Sequence, residues 1–207
     1  MSRERASQTE VFDDVVGWVA LFGFLTESEV ADVLGACRSL LDLPSEERHA
    51  RDKVVAGTRH LYELDERSSL VDTILDRQRL VDVVGDILGS TFRRDEVAYR
   101  SPQPSFGGQR LHADDPPKLD AGRATVATAI ITLTEFSLTN GATRVIPGSH
   151  HRVDLQRTSG SLENHPEEIR LTGPAGTAFV FSGHLLHSGT ANESDDERPA
   201  LQVVWRR

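Results

Sequence analysis

The chain has 207 residues, enough for one domain with a substantial core. Its hydrophobic fraction of 38% and charged fraction of 27% are ordinary for a globular protein. A net charge of −9, from 32 acidic against 23 basic residues, argues against a non-specific nucleic-acid binder and leaves no polybasic patch for an anionic membrane. The single cysteine, Cys37, rules out an intrachain disulfide and a cysteine-based zinc or iron–sulfur site. The opening residues lack the apolar core of a signal peptide, and no run reaches the ~18–20 apolar residues of a membrane span. The expected compartment is the cytoplasm, and the expected organisation is one domain over residues 1–207.

In chain order, residues 1–14 are polar and expected to be loosely held. Residues 15–24 (VVGWVALFGF) are apolar and valine-rich, and read as a short strand or a buried extended segment. Thr26 and Glu29 fit a capping box. Val30, Val33, Leu34, Cys37 and Leu41 follow at helical spacing, and Pro44 stops that helix. The charged region 45–64 gives no clear reading. A second helix is expected from Ser69 to Leu88, with Gly89 as its C′ residue. From Thr91 onward the pattern is that of strands: 92–100, 110–114, 124–133 (half-buried on one face), 143–146, 169–171, 177–181 and 200–205. Residues 154–168 are polar and expected to form a mobile loop. Helices followed by many short strands indicate a mainly β, α+β chain, or a β-sandwich flanked by helices.

Of the eight histidines, His112 carries the most information, because it stands two residues before Asp114. Residues i and i+2 of an extended chain face the same way. An imidazole and a carboxylate so placed can occupy adjacent positions on one metal. A further histidine completes the 2-His-1-carboxylate set of non-haem Fe(II) oxygenases, which leaves positions open for other ligands. The candidates are His150, His151, His165, His184 and His187. His187 is preferred because Arg198 follows eleven positions later, a spacing that suits two neighbouring strands joined by the NESDDE loop. A guanidinium there could bind a carboxylate in fork geometry. The competing reading of Arg198 is a surface ion pair with Glu193, Asp195, Asp196 or Glu197. Arg59 and His60 could face the pocket and meet a polar substrate, against the alternative of a solvated charge cluster.

Taken together, four ordered motifs resemble the phytanoyl-CoA dioxygenase family of Fe(II)/2-oxoglutarate oxygenases. They are the apolar run VVGWVALFGF leading into a capped helix, LHADD, NGATRVIPGSHH (140–151), and GHLLHSGTANESDDERPAL. The resemblance implies a double-stranded β-helix (a cupin-like jelly roll) with N-terminal helices packed on one sheet. It implies iron held by His112, Asp114 and His187, and the far carboxylate of 2-oxoglutarate held by Arg198. Gln109 and Thr143 are similar to residues that touch the cosubstrate in some members. The implied reaction uses O2 to oxidise a C–H bond of a small metabolite, such as a tailoring step in secondary metabolism, with no nucleic-acid or membrane partner. The chain departs from many members in having Ile130 and Ile131 in place of an aromatic residue, and Gly189 two positions after the distal histidine. Its region after His151 is short, which leaves room for a partner subunit, in a homo- or hetero-oligomer, to complete the pocket. Asp114 is a true carboxylate, which disfavours halogenation. The alternatives are a catalytically silent jelly-roll partner of an active homologue, and a metal-dependent hydrolase or isomerase on the same fold.

Overall fold

The computed structural model describes residues 11–44, 46–115, 123–156 and 159–207. Residues 1–10 and the Pro116-Pro117 pair lie outside these segments. Strand β1 (Trp18–Leu21) precedes helix α1 (Glu27–Leu41), followed by β2 (Lys53–Val55) and β3 (Thr58–Tyr62). Then come α2 (Leu64–Arg67), α3 (Ser69–Leu75), α4 (Gln78–Leu88), β4 (Arg93–Pro102) and β5 (Val126–Thr132). Finally there are β6 (Thr143–Val145), α5 (Val153–Gln156), β7 (Ile169–Arg170), β8 (Ala178–Ser182), β9 (His187–Gly189) and β10 (Ala200–Arg206).

The strands form two antiparallel sheets. The larger has the order β1-β8-β5-β10-β4-β3-β2, and the smaller β7-β6-β9. Alternation along β5 separates two cores. Ala127, Ala129 and Ile131 face Val33 and Cys37 of α1, Ile74 of α3 and Val84 of α4. Ile130 faces the smaller sheet, in a second cluster with Val145, Phe179 and Phe181. All seven residues of β5 are buried, so the expectation of one solvated face is corrected. The strand lies between a helical layer and a second sheet, and its many Ala and Thr residues keep its hydrophobicity low enough to hide this in the sequence.

Thr26 caps α1 as expected: its Oγ1 accepts from Glu29 N, while the Glu29 carboxylate accepts from Thr26 N at 2.9 Å. Glu29 also pairs with Arg77, whose hydrogen bonds hold that carboxyl down at about 2. The single helix expected over 69–88 is two. Arg77 is extended (φ −61°, ψ 130°) and donates to Phe24 O at 2.8 Å, which ties the break to the loop before α1. Gly89 is the capping residue of α4 itself, one position earlier than expected. The unread region 45–64 holds the β2–β3 hairpin. Its turn residues Ala56 and Gly57 both have positive φ (44° and 68°), as a two-residue type I′ turn requires. Gly57 is also required by space, since a Cβ there would lie 2.0 Å from Phe106 Cγ.

Candidate metal centre

Segment 109–114 runs antiparallel to β9. Gln109 N donates to Gly189 O, and His112 and His187 exchange backbone hydrogen bonds of 3.0 and 2.8 Å. The expected strand over 110–114 is reduced to that one bridge. Asp114 N already bonds Gly183 O, in the turn before β9, so the ladder does not continue. His187 therefore lies directly opposite Val145 on one side and His112 on the other.

Each ring is oriented by its own backbone. His112 Nδ1 lies 2.8 Å from Arg110 O, and His187 Nδ1 lies 2.9 Å from Leu185 O. A carbonyl can only accept, so both Nδ1 atoms carry the proton and both Nε2 lone pairs are free. His187 Nε2 is 3.6 Å from Asp114 Oδ1, and the two imidazole centroids are 4.5 Å apart. One ligand atom from each of His112, Asp114 and His187 falls within 4.8 Å of the others. Burial lowers the pKa of His187 more than Asp114 raises it, which favours the neutral, ligating form. The other carboxylate oxygen, Asp114 Oδ2, accepts from Thr128 Oγ1 at 2.6 Å. Thr128→Val keeps the volume and removes that bond. Fe(II) affinity, measured by chelator competition, is expected to fall roughly 10–100-fold, the usual cost of losing an outer-shell partner. An unchanged affinity would show that Asp114 needs no such support.

The remaining histidines have other partners. His184 Nε2 accepts from Thr125 N at 3.1 Å, and its Nδ1 faces Asp115 O. His150 and His151 both direct Nε2 at Asp14 O, at 2.8 and 3.1 Å. Together with the Asp14 carboxylate they form a second cluster of metal-ligating type. His165 Nδ1 accepts from Glu167 N. Within the loop expected to be mobile over 154–168, residues 161–168 are tied to the body rather than free of it. Buried Arg144 pairs with Glu168 at 2.9 Å and donates to Ser161 O and Glu163 O.

Arg198 sits just before β10, and its backbone N donates to Pro102 O. It is 7% exposed, with its guanidinium carbon 4.3 Å from the Phe136 ring centroid. Its Nε is buried without a hydrogen-bond partner, and among the described residues it forms no ion pair. The surface-pair reading therefore gives way, because Glu197 instead bonds Ser101 and Arg59. Burial lowers the Arg198 pKa to about 10, so the group remains charged at neutral pH. The strand reasoning behind its position is corrected: β9 belongs to the small sheet and β10 to the large one, so His187 and Arg198 meet across the sandwich.

A cavity of about 320 Å³ joins these groups, lined by His112, His187 and Arg198 and by Gln109 and Thr143. Gln109 Oε1 accepts from Gly189 N at 3.1 Å. A Cβ at 189 would lie 2.8 Å from Gly107 O and 3.2 Å from Gln109 Oε1, which accounts for glycine there. His60 lines the cavity, whereas Arg59 turns to Glu197. The sequence reading missed Lys53, Tyr62 and Arg100 on the same wall. The signal was present in the alternation of TRHLY: Leu61 packs in the helix-side core, so His60 and Tyr62 must face the other way.

Facing antiparallel sheets with a ligand cluster between them make a double-stranded β-helix, and two histidines with one carboxylate are the ligand set of the non-haem iron class. The chain belongs to the phytanoyl-CoA dioxygenase (PhyH) family, whose family model matches residues 14–200. The dioxygenase peniF of Penicillium patulum is 33% identical over 129 residues, which make up 57% of this chain and 38% of that protein. The Fe(II)/2-oxoglutarate-dependent dioxygenase nvfF of Aspergillus novofumigatus is 30% identical over 213 residues, covering 87% of this chain and 64% of that protein. The chain thus spans less than two thirds of the length of either relative. HygX of Streptomyces hygroscopicus, crystallised with nickel, 2-oxoglutarate and hygromycin B, shares the fold. Its TM-score is 0.74 at 17% identity, over 93% of this chain and 84% of that one. Among the described residues no helix is long and apolar enough to cross a membrane.

Proposed function

We propose that this chain is a non-haem Fe(II)- and 2-oxoglutarate-dependent dioxygenase that oxidises a C–H bond of a small metabolite. His112, Asp114 and His187 hold the metal, and Arg198 holds the far carboxylate of 2-oxoglutarate. Gln109 and Thr143 touch the cosubstrate from the β9 side. The observation that carries the reading is buried Arg198, its Nε without a hydrogen-bond partner among the described residues, in the same cavity as His112 and His187 of the three converging ligand groups. A buried charge without a partner is costly. A dicarboxylate that also reaches the metal site would satisfy it. A silent partner or a metal hydrolase would give Arg198 nothing to bind. The relatives peniF and nvfF, both dioxygenases, are consistent with this reading.

When bound, iron and 2-oxoglutarate supply the oxidising chemistry: O2 is consumed and the cosubstrate leaves as succinate and CO2. The protein's own residues bind, orient and exclude water. The Nδ1–H groups donate to the carbonyls of Arg110 and Leu185, so neither imidazole can tumble. Thr128 holds one oxygen of Asp114 and leaves the other for the metal. Phe181, with its ring centroid 4.7 Å from that of His187, dries that side of the site.

The direct experiment is an anaerobic titration of purified protein with Fe(II) and then 2-oxoglutarate, monitored for the weak visible charge-transfer band of the chelate. A band that saturates with 2-oxoglutarate is expected. Iron binding with no band at any cosubstrate concentration would overturn the assignment.

A further inference from the structure

Basic residues cross the cavity wall in register. Lys53 pairs directly with His60, and His60 pairs directly with Arg100, on the adjacent strands β2, β3 and β4. Directly paired residues share a face, and all three line the cavity. Arg100 pairs in turn with Ala200, two residues beyond Arg198. The row therefore starts beside the proposed cosubstrate anchor and runs outward over two strand spacings, ~10 Å, to exposed Lys53 at the mouth.

Among the described residues the only ion pair to this row is a long one at its Arg100 end. Lys53 and Arg100 flank His60 on its two neighbouring strands, so two cations share one face of the sheet. Among the described residues no carboxylate lines the cavity. The nearest acid, Glu96, touches Arg100 Nη2 only at 3.5 Å and also serves Arg51. Glu63 is engaged by Arg51 and His49. The Nε atom of Arg100 is buried with no partner. Burial, with Arg100 and Lys53 adding to it, lowers the His60 pKa to about 4, which leaves a neutral imidazole able to hydrogen-bond between two cations. A concentrated basic patch is also out of character for a chain of net charge −9.

We propose that the substrate is a small organic anion whose carboxylate or phosphate group is held by Lys53, His60 and Arg100 while its reacting carbon lies by the metal. This names the substrate class for the oxygenase reading above and rests on that reading. The row is a binding and specificity device and takes no part in the chemistry.

The test is calorimetric titration of the anaerobic Fe(II) protein, saturated with 2-oxoglutarate, with hexanoate, hexyl phosphate and hexanamide. Hexanoate or hexyl phosphate is expected to bind at least tenfold more tightly than the neutral amide, and whichever binds better identifies the anion. The advantage should vanish in Lys53→Gln and Arg100→Gln and return in part in Arg100→Lys, with 2-oxoglutarate affinity unchanged throughout. Equal binding of the three probes, or a preference that survives both glutamine variants, overturns the proposal. So does a loss of 2-oxoglutarate affinity in Arg100→Gln, which would assign the row to the cosubstrate. If the wild type fails to bind 2-oxoglutarate at all, the oxygenase reading falls. The same three titrations without cosubstrate, in an Arg198→Met background, then decide the anion site alone.

Discussion

His187→Ala is expected to lower Fe(II) affinity by well over a hundredfold, to the point where no chelate band forms with 2-oxoglutarate. Loss of an outer-shell partner typically costs 10–100-fold in metal affinity, and loss of a direct ligand costs more. After the substitution only His112 and Asp114 remain of a cluster whose ligand atoms lie within 4.8 Å. The substitution also removes a packed ring, since His187 is 6% exposed and lies against Phe181. His187→Gln, which keeps most of the volume, should run beside it, with metal-free melting temperatures measured for both. A glutamine variant that melts near the wild type yet no longer binds iron isolates ligation from folding. If either folded variant binds Fe(II) as the wild type does, the triad is wrongly assigned. Attention would then pass to the Asp14, His150 and His151 cluster, whose ligand atoms also converge.

The sequence disclosed the centre better than its surroundings, for physical reasons that differ from residue to residue. His112 and Asp114 are legible because two-residue spacing places side chains on one face even where, as here, only one bridge forms. Arg198 was identified through a spacing argument whose geometry was wrong. A loop between sheets and a loop between neighbouring strands have the same length in a sequence, and only the fold distinguishes them. The break at Arg77 was written as four consecutive polar residues, 76–79, interrupting the apolar period between Ile74 and Leu80, and its cause is a partner far away at Phe24. The cavity wall made by β2 and β3 was the hardest part to see. Its inward-facing residues are Lys53, His60 and Tyr62, which carry the hydrophobic signature of a solvated loop and acquire meaning only when paired with Arg100. Thr128 was hidden in the same way, because a threonine in a β-branched strand reads as propensity and not as a hydrogen-bond donor to Asp114.

Arg198→Met should move the metal-free and the cosubstrate-bound protein in opposite directions. Without ligand, the guanidinium is a buried cation with an unpartnered Nε, stacked on Phe136. Replacing buried ionic pairs with apolar groups of similar volume is often neutral or stabilising by ~1–4 kcal/mol, and a charge with no ionic partner has less attraction to lose. The stacking on Phe136 offsets some of that gain, so the metal-free melting temperature is expected to rise by a few degrees. With iron present, 2-oxoglutarate loses the fork that would hold its far carboxylate. Truncating one side of a buried charge pair costs about 2–5 kcal/mol, so the concentration needed to saturate the chelate band should rise roughly thirtyfold or more. Arg198→Lys, which keeps the charge and loses the fork, should fall between the two. The opposed signs distinguish a binding residue from a structural one. If Arg198 served only to pack Phe136, the methionine variant would lose stability and leave the cosubstrate titration where it was. If Arg198 anchors 2-oxoglutarate, the protein tolerates an unpaired buried charge in the free state so that the cosubstrate can pair with it.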